Sequence, residues 1–130
     1  MPAKSPCGMI SAEIIAQVLG GVLITAPQPF HDDYLGDGCQ YDAGKDRSGR
    51  ARFGYVAIAP LTSFEATKQS GPVTPIGDLG DAAFIIDGED AQQLWVQVKG
   101  KGAIVVALGD IPNPSGARQL AGYLITALTK

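Results

Sequence analysis

Apolar residues recur at helical spacing near both ends of the chain. Ile14, Ile15, Val18 and Leu19 follow Ser11, a good N-cap, with Glu13 in the first turn where the helix dipole favours an acid. Gly20-Gly21 stops this helix. Leu120, Ala121, Leu124, Ile125 and Leu128 form one apolar face of a second helix, opened by Asn113 as N-cap and Pro114 at the first helical position. Thr62-Ser63-Phe64-Glu65 matches a capping box and predicts a short helix at 62–69. Between these lie runs that read as strands at 22–25, 39–42, 52–59, 82–86, 92–98 and 103–108. Pro27 and Pro29 restrict any continuation of the first run to an edge or a loop. Residues 31–38 read as an acidic, turn-rich loop, 71–81 as a loop rich in glycine and proline, and 99–102 as a hairpin tip.

The alternation within the strands assigns their faces. Phe53, Tyr55 and Ala57 oppose Gly54, Val56 and Ile58, so both faces of that strand are expected to be partly covered. Leu94, Val96 and Val98 share the face expected to meet the helices, while Trp95 points the other way with Gln93 and Gln97. Trp95 is then either half-buried beneath a loop, with 71–81 long enough to cover it, or a contact residue. The order α-β-β-β-α-β-β-β-α predicts an α+β fold, an antiparallel sheet of about six strands with the helices gathered on one face. It allows an αβββ pseudo-repeat, although no residue-level self-similarity accompanies it.

The chain has 130 residues, which fits one α+β domain over 1–130, with 1–6 expected as a flexible N-terminal remnant. An apolar content of 45% excludes global disorder. A net charge of −3 and a pI near 4.9 argue against nucleic acid and give no attraction to anionic membranes. No run approaches the ~20 apolar residues of a membrane span. Met1-Pro2-Ala3-Lys4 leads straight into Ser5-Pro6-Cys7 with no signal peptide, so export would imply a removed leader.

Cys7 and Cys39 are the two cysteines. Each lies beside a predicted element, and a bond between them would close a loop of about 33 residues and stabilise the fold by about 3.7 kcal/mol on chain-entropy grounds. Pairing implies an oxidising compartment and export. Two free thiols in a cytosolic protein, or a lipid-anchored Cys7, are the alternatives, although Lys4-Ser5-Pro6 makes a poor lipobox.

Pro6-Cys7-Gly8-Met9-Ile10-Ser11-Ala12-Glu13, Gly38-Cys39-Gln40-Tyr41, Gly77-Asp78-Leu79-Gly80-Asp81-Ala82-Ala83-Phe84 and Leu94-Trp95-Val96-Gln97-Val98 carry a resemblance. Together they resemble secreted domains and lipoproteins of unknown function common in actinobacteria. These open with a cysteine before a Ser/Thr-x-Glu helix start and carry a Gly-Leu-Gly-Asp-Ala-Ala-aromatic turn. The resemblance spans about 7–129 and implies export and a paired cysteine, with no established activity. The chain departs from the pattern in lacking a visible leader or lipobox, so it leaves lipid anchoring open.

Chemistry-bearing groups are sparse. His31, with Asp32, Asp33 and Asp37, offers an imidazole among carboxylates, but the spacing fits a solvated loop better than a metal site, and no metal is expected. Asp78 and Asp81 offer a carboxylate pair, yet across Leu79-Gly80 they fit a tight structural turn in which Gly77 and Gly80 supply positive φ. Lys45, Arg47, Arg50 and Arg52 form a basic cluster that reads as a solvated hairpin of mixed charge. Nucleophile elbows, phosphate loops and Cys-x-x-Cys motifs are absent, and no cofactor is expected. The leading expectation is a non-enzymatic exported module binding an envelope protein or a small apolar ligand, with Trp95, Tyr55 and Phe84 as candidate lining residues. A carboxylate-dependent enzyme using His31 with Asp78 or Asp81, and a purely structural subunit, are the alternatives. The sequence leaves the oligomeric state open.

Overall fold

The computed structural model of the chain describes residues 6–19, 24, 26–45, 51–69, 73–77, 79–87, 91–109 and 114–129. After a single 3-10 turn at Pro6–Gly8, the elements are α1 (Ala12–Leu19), β1 (Gln28–Asp32), β2 (Gly36–Lys45), β3 (Ala51–Ala59), α2 (Leu61–Gln69), β4 (Thr74–Ile76), β5 (Ala82–Asp87), β6 (Ala91–Val98), β7 (Gly102–Gly109) and α3 (Pro114–Thr129). The seven strands form one sheet in the order β1-β2-β3-β7-β6-β5-β4, every neighbour antiparallel. The fold is α+β, as expected. The strand layout holds two meanders whose last strands, β3 and β7, pair at the centre. The helices do not follow that repeat, because α1 and α2 lie on opposite faces.

On the first face Cys39, Val56, Leu94, Val96, Ile104 and Val106 pack against Ile15 and Val18 of α1 and Leu120, Ala121 and Leu124 of α3. Ser11 caps α1 as expected: Ile14 N–H donates to its Oγ at 3.3 Å and Ile15 N–H to its carbonyl at 3.2 Å. The second face carries Ala57, Ala59, Phe84, Trp95, Ala103 and Val105, closed over by Phe64 of α2. This corrects the expectation that all helices share one face. The buried residues of α2 are Ser63, Phe64 and Thr67, a mixed set that does not announce a side. Tyr34 ties α2 down: its hydroxyl donates to the Ser63 carbonyl at 3.1 Å and meets Thr67 Oγ1, while Ser63 Oγ donates to the Tyr34 carbonyl at 2.6 Å.

Several boundaries also differ. The expected strand at 22–25 falls outside the described residues except for Ile24, which is not in a strand. β1 and the start of β2 occupy the stretch read as an acidic loop. Only residues 33–35 turn, because one Asp32 carboxylate oxygen accepts the N–H groups of both Tyr34 and Leu35 at 2.8 Å. β1 tolerates Pro29 because it is an edge strand, and β4 tolerates Pro75 for the same reason. α2 begins one residue before the expected cap: Ser63 N–H bonds the Pro60 carbonyl at 3.0 Å, so Thr62 is a helical residue. Asn113 lies outside the described residues. Among the described residues no helix is long and apolar enough to cross a membrane.

Candidate functional site

Cys7 and Cys39 are disulfide-bonded, with Cα atoms 5.1 Å apart. The bond ties the N-terminal turn to β2, beneath α1 and α3. Cys39 is fully buried, so the bond serves the core.

Trp95 is also core, at 1% exposure. Phe84 stacks on it with ring centroids 6.2 Å apart, and Tyr34 meets it edge-on at 6.1 Å. The cover comes from α2 and the β1–β2 turn; of the segment 71–81 expected to cover it, Val73 packs against this cluster, and residues 71, 72 and 78 lie outside the described residues. Trp95 and Phe84 are thereby removed as ligand contacts, because both are packed against neighbouring rings. Tyr55 differs, being only half-buried.

The register explains the difference. On the second face, Phe30, Gly38, Ala57, Val105, Trp95 and Phe84 form one row across six strands, sealed by α2. The next row is Gln28, Gln40, Tyr55, Ala107, Gln93 and Ile86. In its β1–β3 part this row borders an open cleft of about 390 Å³, lined by Gln28, Gln40, Tyr41, Asp42, Phe53, Gly54 and Tyr55. Phe30 braces Tyr55 edge-on, with centroids 5.8 Å apart. Phe30 in turn lies over Gly38, where a Cβ would stand 2.3 Å from its ring.

A hydrogen-bonded chain joins the buried row to the cleft. Trp95 Nε1–H donates to Gln93 Oε1 at 3.1 Å, and Gln93 Nε2 donates to the Tyr55 hydroxyl oxygen at 2.6 Å. Ala107 stands between Gln93 and Tyr55 in the row, and its small side chain leaves room for that bond. Burial pushes the Tyr55 hydroxyl above its ordinary value, the Gln93 bond pulls it down and the Asp32 charge pushes it up. At the rim, Asp42 Oδ1 accepts Gly44 N–H at 2.8 Å, and Gln28 Nε2 donates to the Ala26 carbonyl at 3.2 Å. Tyr41 sends its side chain to the other face, where its hydroxyl is buried with no partner among the described residues and burial pushes its pKa up to about 12.

The remaining candidates do not converge on this cleft. His31 lies exposed on β1, its Nδ1–H donating to Asp37 at 2.8 Å, with Asp33 3.8 Å from Nε2. Among the described residues no group of three or more His, Cys, Asp or Glu could hold a metal ion. Asp81 works within a turn: its N–H bonds the Gln97 carbonyl at 2.9 Å and its Oδ2 accepts Lys99 N–H at 2.6 Å, latching the β6–β7 hairpin. Gly80 holds a left-handed φ of 60°, whereas Gly77 does not, against expectation. Asp78, Arg47 and Arg50 lie outside the described residues, as do the side chains of Lys45 and Arg52. β1 and β5 are five strand steps apart, about 24 Å at the usual spacing, so His31 and Asp81 cannot share a pocket.

Sequence reading singled out Tyr55 but not Gln28, Gln40, Asp42 or Phe53 as its neighbours. The available signal was Gln40 and Asp42 flanking Tyr41 at the two-residue period, which places two polar side chains on one face of a strand. The chain matches no known protein family, no curated protein and no solved structure.

Proposed function

We propose that this domain is an exported, non-catalytic binding module whose ligand seats in the cleft beside Tyr55. The observation that carries the reading is the cleft itself. It offers two aromatic side chains, Tyr55 and Phe53, with a few convergent polar groups, Gln28, Gln40 and Asp42. Its volume falls in the range of small-molecule sites. The disulfide supports export, because such bonds persist in oxidising compartments, and the resemblance to secreted actinobacterial domains points the same way. The pairing of His31 with Asp81 has no support, since the two sit on opposite halves of the sheet.

Two measurements test this. Amide chemical shifts recorded against a library of small aromatic and polar compounds are expected to move at Gln40, Asp42, Phe53 and Tyr55. Scattered shifts, or none, would remove the cleft as a site. Fractionation of cells expressing the native precursor is expected to find the oxidised protein outside the cytosol. Recovery in the cytosol with both thiols reduced would overturn export.

A further inference from the structure

We infer that both edges of the sheet are closed to strand addition by an outward-facing proline, so that neither a second copy nor an extended peptide lengthens it. The inference is independent of the cleft. It removes the sheet edge as the seam of a structural subunit and leaves the faces and helices to meet any partner.

Among the described residues the outer strands are β1 and β4. An outer strand normally presents unpaired N–H and C=O groups to another chain. Each of these two carries an exposed proline, Pro29 in β1 and Pro75 in β4. The direction of the proline nitrogen decides its effect. Along an antiparallel strand the N–H and C=O of one residue point to the same side, and successive residues alternate.

In β2, the Asp42 carbonyl accepts Ile24 N–H at 2.9 Å. Ile24 precedes β1 in the chain, and the other side of Asp42 is taken by Phe53 of β3, so the even-numbered residues of β2 face β1. Cys39 therefore faces β3. Pro29, its partner in β1, sits in a pair without hydrogen bonds and turns its nitrogen outward. At the other edge, the Gln97 carbonyl accepts Asp81 N–H at 2.9 Å, from the residue just before β5. The odd-numbered residues of β6 then face β5, so Trp95 bonds Phe84, and Phe84 has no backbone group left for β4. Pro75, opposite Phe84, also turns its nitrogen outward.

Both prolines thus stand where the sheet would offer a donor to the next strand. β4 has one outward position, and Pro75 fills it. β1 has two, Pro29 and His31, and only His31 keeps an N–H. A chain docking at either edge would bury a carbonyl against a pyrrolidine ring and leave it without a partner. Exposed Asp32 and Asp33 beside His31 add charges that docking would strip of water. Tolerance alone does not select these prolines. Any residue fits an outward position, and proline is the one that removes the donor.

The test measures the mass of the intact, oxidised protein by light scattering over a range of concentrations, beside Pro29→Thr and Pro75→Thr. Each substitution restores one edge N–H in a residue suited to strands. The wild type is expected to stay at the monomer mass of 13.5 kDa. Each variant is expected to associate at least about tenfold more tightly than the wild type, the equivalent of one hydrogen bond per copy. The restored amide is expected to become protected from hydrogen exchange as concentration rises. Fluorescence of Trp95, the single tryptophan, reports whether each variant is folded, and either variant carries the test if the other fails to fold. Folded variants that associate no more tightly than the wild type overturn the inference. So does wild-type association that moves the resonances of His31, Thr74 or Ile76. Wild-type association with all three unmoved runs through another surface and supports closed edges.

Discussion

Replacing Gly80 by alanine is expected to destabilise the domain strongly, while the same replacement at Gly77, three residues earlier, is expected to be neutral or slightly stabilising. Gly80 has φ 60°, and a Cβ there would stand 2.5 Å from Val96 Cγ1 and 2.6 Å from the Gln97 carbonyl oxygen. The left-handed conformation costs an alanine about 1–2 kcal/mol. Intrusion on a backbone carbonyl, which cannot swing aside, adds about 1–3 kcal/mol. Reduced freedom of the unfolded chain returns about 0.4–1 kcal/mol. The balance is a loss of about 1–5 kcal/mol, a large share of the 5–15 kcal/mol typical of a domain. At about 4 °C per kcal/mol for a chain of this size, the thermal midpoint is expected to fall by about 4–20 °C. Gly77 lacks the left-handed φ and has nothing within 4 Å of a built Cβ, so only the favourable entropic effect remains there.

Thermal unfolding followed by near-ultraviolet circular dichroism measures both variants. A second readout locates the damage. Gly80 positions Asp81, whose carboxylate holds Lys99 N–H, so hydrogen exchange at Lys99 is expected to accelerate in Gly80→Ala before the rest of β6 and β7 is affected. An unchanged midpoint for Gly80→Ala, or an equal fall for Gly77→Ala, would refute the assignment of the turn.

Three further outcomes follow from particular groups. Reducing the Cys7–Cys39 bond is expected to lower stability by about 2–5 kcal/mol, read as a shift in the urea midpoint, and alkylation of the native protein without reductant is expected to leave the intact mass unchanged. His31 is expected to titrate above its ordinary 6.5, chiefly because it bonds Asp37; its stabilising contribution is then full below pH 6.5 and disappears as pH rises through the raised value. A proton NMR titration checks this, with Asp37→Asn moving the value back towards 6.5. Tyr41→Phe removes a buried hydroxyl that has no partner among the described residues and is expected to leave stability unchanged or raise it by about 1 kcal/mol. Tyr41 keeps its proton to about 12 in the fold and loses it near 10 when unfolded, so wild-type stability falls across that interval, and the phenylalanine variant should lose less in alkaline denaturation.

The interior elements were legible because burial writes a period into the sequence. β6 alternates, β3, β5 and β7 are near-continuous apolar runs of strands covered on both faces, and α1 and α3 carry an apolar stripe with a recognisable start. The edges were illegible for the converse reason. β1 and β4 are almost wholly exposed, and each contains a proline, so neither period nor propensity marks them as strands. α2 was placed within a residue, but its side of the sheet depends on Ser63 and Thr67 meeting Tyr34, a polar contact that apolar pattern cannot encode. The same limit governed the cleft. Tyr55 stood out as an aromatic, but its company is decided by the pairing of β1 with β2 and of β2 with β3, and that register became known only from the folded sheet.

Why the second face has an open region at all follows from dimensions. Seven strands at about 4.8 Å place the outer strands about 29 Å apart. A helix with its side chains is about 10–12 Å across and covers two or three strands. Two helices, α1 and α3, therefore roof most of the first face, with α3 over β6 and β7 and α1 against β2 and β3. The second face has α2 alone, and α2 lies over β6 and β7. Aromatic side chains extend the cover sideways through Phe30 and Tyr34, but at the Tyr55 row they run out. What remains is polar where the sheet is wettest, at Gln28, Gln40 and Asp42, and aromatic where it meets the sealed layer, at Tyr55. A buried core that ends in an oriented hydroxyl beside unroofed strands is a consequence of placing one helix where two would be needed, and the cleft is the place where the fold leaves its chemistry exposed.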